Sequence, residues 1–413
     1  MLTLEPITPV VKAGLWEDKM RASVLVVFAA LVLAGNAAQA QVPPVKIGVL
    51  TDMTSVYADY GGAGSVEMAK LAIADSGIGD RVQLRSADTL NKADTAASIA
   101  REWFSQGVDA IFDVPTSGVA LAVNTEAARA KKFVFYSTAI SDRLTEQDCN
   151  GYGIAWVWDT YSVGRAEAQA LIKEDKDTWF VITPDGAAGD ALEQTAREAA
   201  AAFGGKVVGS LYHPLNVSDW GSYLLKARAS GAKAVLFGSG GADLVNALKQ
   251  VREFGLPQAG VATGTMYAIN TDVQGMGLEG MQGLTVVTAF DWNRNDQTRA
   301  FGRRFFAVHK KMPTMFQAGV YSSVLQYLRA VKTTGSTNPE KIRAYMLATP
   351  MEDVFLQNGK LLPNGRMLHD MFLARIKSPE QSKEPWDFFE ITGTVPGAEA
   401  FRKLEDSKCP LVK

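Results

Sequence analysis

The sequence predicts an α/β protein built from two doubly wound parallel-sheet lobes. Three observations carry this. Apolar strand-like runs alternate with amphipathic stretches from Val45 onward. The alternation restarts at Thr178 with similar order and length. The chain of 413 residues is also too long for one typical domain.

In the first array, VKIGVL (45–50) leads into a helical stretch from about Gly62 to Asp75. RVQLRSAD (81–88) precedes a helix around 93–106, DAIFDV (109–114) one from Gly118 to Ala130, and KFVFYS (132–137) closes the series. In the second, TWFVIT (178–183), KVVGSLYH (206–213) and KAVLFG (233–238) each precede a helix. GVATG (260–264) and GLTVVTAF (283–290) read as later strands. The apolar, aromatic segment 151–164 reads as a crossing between lobes rather than a polar linker. Strands at MFLARI (371–376) and WDFFEI (386–391) lie far from both arrays, so the lobes are expected to be discontinuous. The expected division is 41–160 with 291–362 as one lobe, and 161–290 with 363–413 as the other.

Residues 20–40 carry an export signal: a basic start at Arg21, an apolar run from Val24 to Leu33, and Ala38-Gln39-Ala40 before the expected cleavage. Met20 is then the expected true start, and the mature chain is expected in the periplasm. ATP and NAD are scarce there, so cofactor chemistry is not expected. The formal net charge of −2 argues against nucleic acid as a partner. Neither the three histidines nor the cysteines show zinc spacing, so no metal site is expected. Cys149 and Cys409 stand in an oxidising compartment, where a bridge is as open a reading as two unrelated thiols.

Ligands of doubly wound lobes sit at the carboxyl ends of the strands, and between two such lobes the cleft is the natural site. The loop Thr116-Ser117-Gly118 follows a strand and opens a helix, as does the loop from Ser137 to Asp142. Hydroxyls and free N–H groups at such positions suit an anion, although helix capping explains the same residues. Tyr57, Tyr60, Trp156, Trp158, Tyr161 and Tyr267 offer apolar faces with polar tips, with interlobe packing the plainer reading for the tryptophans. The second-lobe loops TPDGAAG and GSGGAD add Asp185, Gly186 and Ser239 as candidates. No catalytic pattern stands out: Gly-x-Ser-x-Gly is absent from a strand–turn–helix context, and neither glycine-rich turn is a phosphate loop.

Taken in order, VKIGVLTDMTSVYADYGG, KFVFYSTAISDRLT and TWFVITPDGAAGDAL resemble the periplasmic substrate-binding proteins of branched-chain-amino-acid-type ABC transporters. The resemblance covers essentially the whole mature chain. It implies a type I binding protein with a three-segment hinge, no enzymatic activity, a permease partner and a monomer. It implies that Thr116, Ser117, Ala139, Ile140 and Ser141 hold a ligand carboxylate and that Tyr60 lines the cleft; Tyr161 and Tyr267 are read as further walls from their aromatic character. Amino-acid binders of the family place an acid in the second-lobe loop to meet the ammonium. Here Met266 and Tyr267 stand there, and Ala188 and Gly186 replace a bulkier wall. A buried ammonium without a counter-charge costs several kcal/mol. The expected ligand is therefore a small carboxylate without an amino group, an aromatic acid. An amino acid is the alternative, and an exported hydrolase or a sensor module are the rivals from other classes.

Overall fold

The structure is a computed structural model that describes residues 42–412 except 174 and 267. The export signal, its cleavage point and Tyr267 lie outside the described residues.

The first array folds into a five-stranded parallel sheet of β1 (Val45–Thr51), β2 (Val82–Asp88), β3 (Ala110–Asp113), β4 (Phe133–Tyr136) and β5 (Gly153–Ala155), in the order β2-β1-β3-β4-β5. Helices α1 (Gly62–Asp75), α2 (Ala93–Ser105) and α3 (Ser117–Ala130) make the connections. Strands β3 and β4 are buried throughout, which is why they read as unbroken apolar runs. Gly48 breaks the run in β1 because Trp103 of α2 lies on the sheet there. A Cβ at Gly48 would stand 2.2 Å from the Trp103 ring.

A second parallel sheet comprises β6 (Thr178–Pro184), β7 (Lys206–His213), β8 (Ala234–Phe237) and β9 (Ala262–Thr265), in the order β7-β6-β8-β9. It is preceded by α4 (Thr160–Lys173) and connected by α5 (Ala187–Ala202), α6 (Gly221–Ala229) and α7 (Gly241–Glu253), with α8 (Asn270–Met276) after β9. In both sheets the strand order reverses beside the first strand, so the β1/β3 and β6/β8 loops open a crevice.

The later strands build a separate antiparallel sheet of β10 (Thr285–Thr288), β13 (Met371–Ile376) and β14 (Phe389–Val395), which packs on the second-lobe core through Ala374, Ile376 and Phe389. The last strand runs 389–395 instead of the expected 386–391. Trp386 sits in the left-handed region (φ 71°) and Asp387 N–H closes a turn on the Glu384 carbonyl, so the chain is still turning where a strand was expected. The short hairpin β11 (Lys360–Leu361) and β12 (Met367–Leu368) leads into the third crossing between lobes.

That crossing is stapled to the first. Arg366 is fully buried and donates to the Trp158 carbonyl (2.6 Å), the Met367 carbonyl (3.3 Å) and the Ala155 carbonyl, with Asp159 Oδ2 3.5 Å away. His369 Nε2 lies 2.6 Å from the Val157 carbonyl, and burial pulls its imidazole down to about 4, so it is neutral at pH 7. The second crossing carries Asp291, whose carboxyl burial pushes up to about 7, with Asp387 adding repulsion. A carboxyl raised on folding favours the fold below its unfolded value, and that contribution is lost as pH rises through the folded value. D291N is therefore expected to gain stability over wild type progressively from pH 4 to pH 7, measured by urea unfolding. A constant difference across that range would contradict it.

The C-terminal tail departs from the expected division. Cys149 and Cys409 are joined, with Cα atoms 5.7 Å apart, and Lys408 N–H donates to Glu146 Oε2 at 2.6 Å. From Arg402 onward the tail thus packs on the first lobe, although β14 just before it belongs with the second.

Candidate ligand-binding cleft

On the first-lobe wall the backbone is forced. Asp113, Val114 and Thr116 all take positive φ (79°, 53° and 51°), a conformation costly for side chains other than glycine and common at ligand clamps. The buried Asp113 carboxylate holds the turn by accepting from Thr51 Oγ1 (2.7 Å) and from Thr138. Gly61 is required opposite, because a Cβ there would stand 2.3 Å from Asp113 Oδ2. This bend aims the start of α3 at the cleft. Thr116 does not cap it: its hydroxyl donates to Asn91 Oδ1 at 2.8 Å. A Cβ on Gly118 would meet nothing within 4 Å, so the helix end faces open space.

Ser117 is fully buried, and its Oγ accepts from Ser141 N–H at 3.1 Å, leaving its own proton to donate. Ser141 and Thr160 bury their hydroxyl oxygens with no protein hydrogen-bond partner. Thr160 N–H bonds the Ile140 carbonyl (2.8 Å), which places it beside Ser141. Ala139 and Ile140 are buried and shape the loop. Thr160 went unread in the sequence because it lies on the crossover, outside any post-strand loop. Only the hydrogen bond to Ile140 brings it to the site.

Across the cleft, α5 starts at Gly186 (φ 115°) with no side-chain cap, and α3 packs against α5. Both helices thus begin without a side-chain cap, and an uncapped helix start favours negative charge. The other second-lobe candidates divide. Asp185 is exposed at the rim. Ser239 Oγ is committed to His213 Nε2 at 2.7 Å. Met266 is buried against α4, where a Cβ on Gly164 would lie 3.4 Å from its methyl. Tyr161 has the guanidiniums of Arg165 and Arg402 5.5 Å and 4.6 Å from its ring and lines a cavity of about 350 Å³ beneath the tail.

Tyr60 closes the cleft. Its hydroxyl donates to Asp272 Oδ2 (2.8 Å) and accepts from Gly241 N–H (2.8 Å), both on the second lobe. Gly241 (φ 60°) fits only as glycine, since a Cβ there would stand 2.6 Å from the Val56 carbonyl of the first lobe. Phe316 stacks on Tyr60 at 5.3 Å and meets Trp158 at 4.7 Å, giving an aromatic wall. Thr314 Oγ1 and Gln317 Nε2 hold the Tyr60 and Gly61 carbonyls from below. Sequence reasoning missed Phe316 and Asp272. The first looks like core at the start of a long helix, and the second like an ordinary acid in the first turn of α8. Asp272 is buried, which raises its carboxyl to about 6 against the donors Ile269 N–H, Tyr60 and Gly241 N–H.

The family model described as "Periplasmic binding protein" matches residues 44–383. A periplasmic binding protein from Burkholderia mallei is 39% identical, with a TM-score of 0.87 over 89% of this chain and 99% of that one. A branched chain amino acid ABC transporter periplasmic ligand-binding protein from Burkholderia xenovorans is 46% identical, with a TM-score of 0.80 over 89% and 100%. A solute binding protein from R. palustris, solved in complex with benzoate, shares the fold at 19% identity and a TM-score of 0.76, over 89% and 99%. Nothing among curated proteins matches the chain. The chain belongs to the periplasmic binding protein family: it is a non-catalytic periplasmic solute receptor of type I fold that serves the membrane permease of an ABC importer.

Proposed function

We propose that the two lobes close on a small carboxylate. The observation that carries this is the meeting of the uncapped start of α3 with the hydroxyls of Ser117, Ser141 and Thr160, two of them buried without a protein partner. Charge-assisted hydrogen bonds from such groups to a carboxylate are about twice as strong as neutral ones. Ala139 and Ile140 shape the loop, and Tyr60, Phe316 and Trp158 supply an apolar wall.

Two readings of the rest of the ligand follow. The side chains support an aromatic acid, because Asp52, Asp113, Asp243 and Asp272 already accept hydrogen bonds from the protein, which lowers their value to an ammonium. The branched-chain amino-acid reading is favoured by the 46%-identical Burkholderia xenovorans relative, and the comparisons lean toward it. A thermal-shift panel separates them. Stabilisation by benzoate and 4-hydroxybenzoate but not by leucine, isoleucine or valine selects the aromatic acid, and the reverse selects the amino acid. Stabilisation by neither class, with response to an uncharged solute, would sink the carboxylate reading. We further propose export cleavage after Ala40, which N-terminal sequencing of the mature chain checks.

A further inference from the structure

Arg402 lies where the C-terminal tail passes between the lobes, with its side chain 18% exposed. Toward the first lobe, its Nη2 is 3.4 Å from Asp142 Oδ2 and its Nε 3.9 Å from Glu146 Oε1. Toward the second, its guanidinium stacks 4.6 Å over the Tyr161 ring on α4. It also borders a cavity of about 210 Å³ with Asp142, Lys408 and Arg143 (itself paired with Asp148) on one side and the exposed Asp190 and Glu198 of α5 on the other. Acidic groups thus face each other across this edge of the cleft. Burial is the first cause that raises the Asp142 carboxyl. Asp159 pushes it further up, Arg402 pulls it down, and Glu198 adds a smaller push upward.

The end of the tail is anchored on the first lobe. The Cys149–Cys409 bridge, Lys408 N–H and Ser407 Oγ on Glu146 all tie it to the first lobe. Opening therefore carries α5 and Glu198 away, while Arg402 stays with Asp142 and Glu146. Closing brings Glu198, exposed on α5, back toward Asp142, a repulsion felt most at low ionic strength.

We propose that Arg402 is a positioning residue for lobe closure. It is the cation that reaches both Asp142 and Glu146 and so lets Asp142 approach Glu198, and the Cys149–Cys409 bridge holds it ready. Tethering removes the ordering cost that a free tail would meet at each closure. The role involves no ligand atom, so it stands or falls separately from the carboxylate reading.

The test is calorimetric titration at low salt with benzoate and with L-leucine, read on whichever wild type binds. R402Q is expected to bind about five- to tenfold more weakly, the range of a modest coupling between closure and binding. E198Q/R402Q is expected to regain most of that loss, which a merely structural role for Arg402 would not produce. C149S/C409S is expected to weaken binding in the same direction, with R402Q adding little on that background because the two act as one unit. Thermal melts of the ligand-free variants confirm that each is folded. Unchanged affinity in R402Q, or no rescue by E198Q, overturns the proposal. If wild type binds neither probe, small-angle scattering of the ligand-free chain decides: a larger radius of gyration for R402Q, reversed by E198Q, supports it, and equal radii overturn it.

Discussion

A chain carrying S141A and T160V is expected to be at least as stable as wild type and to bind its ligand about a hundredfold more weakly. The combination is unusual, and it follows from the state of the two hydroxyls. Both oxygens are buried and have no protein partner. A buried polar group without a partner costs about 1–3 kcal/mol, so removing it spares the fold that cost. The same group donating to a carboxylate is worth about 1.5–3 kcal/mol, so losing two removes roughly two decades of affinity even with partial compensation. Valine keeps the shape of Thr160. The N–H of Thr160, which bonds the Ile140 carbonyl, is untouched. Thermal melts and calorimetric titration read both halves. Retained affinity would place the ligand's charged group elsewhere in the cleft.

The second large effect falls on stability. R366M is expected to cost about 3–5 kcal/mol, because breaking a buried pair leaves an uncompensated charge. Here that charge is Asp159, buried at the first crossing, and the carbonyls of Ala155, Trp158 and Met367 lose their donor as well. Burial pulls the Arg366 guanidinium down to about 10, still charged at pH 7. Its face also packs 4.6 Å over Phe401, so methionine preserves part of the apolar contact. D159N/R366M is expected to recover some of the loss by removing the stranded carboxylate. Urea unfolding measures both. A single-variant cost below about 1 kcal/mol would mean that water reaches this hinge and satisfies the groups instead.

Much of the architecture was legible in the chain because its signals are local. The alternation of β1–β4 with α1–α3, and its restart at Thr178, rests on runs of neighbouring residues whose periodicity survives in any context. The loops with Thr116, Ser117, Ala139 and Ser141 are candidates in the sequence because a strand followed by a hydroxyl-rich helix start is visible there. Tyr161, chosen as an aromatic on the crossover, and Ser239, chosen from a post-strand loop, have protein partners that the sequence does not show. The first packs against the guanidiniums of Arg165 and Arg402, and the second bonds His213.

What the local pattern misses depends on residues far apart in the chain. Tyr60 meets Asp272, 212 residues away, only because the two lobes face each other. Thr160 joins the site only through its neighbour Ile140, and Arg402 comes between the lobes because a bridge spanning 260 residues returns the tail to the first lobe. Periodicity reports which face of an element is buried, and so it dictated the two sheets and the loops that border the cleft. Which side chains cross that cleft, and which acids are already satisfied before a ligand arrives, is decided by how two separately folded sheets approach, and no run of adjacent residues encodes that distance.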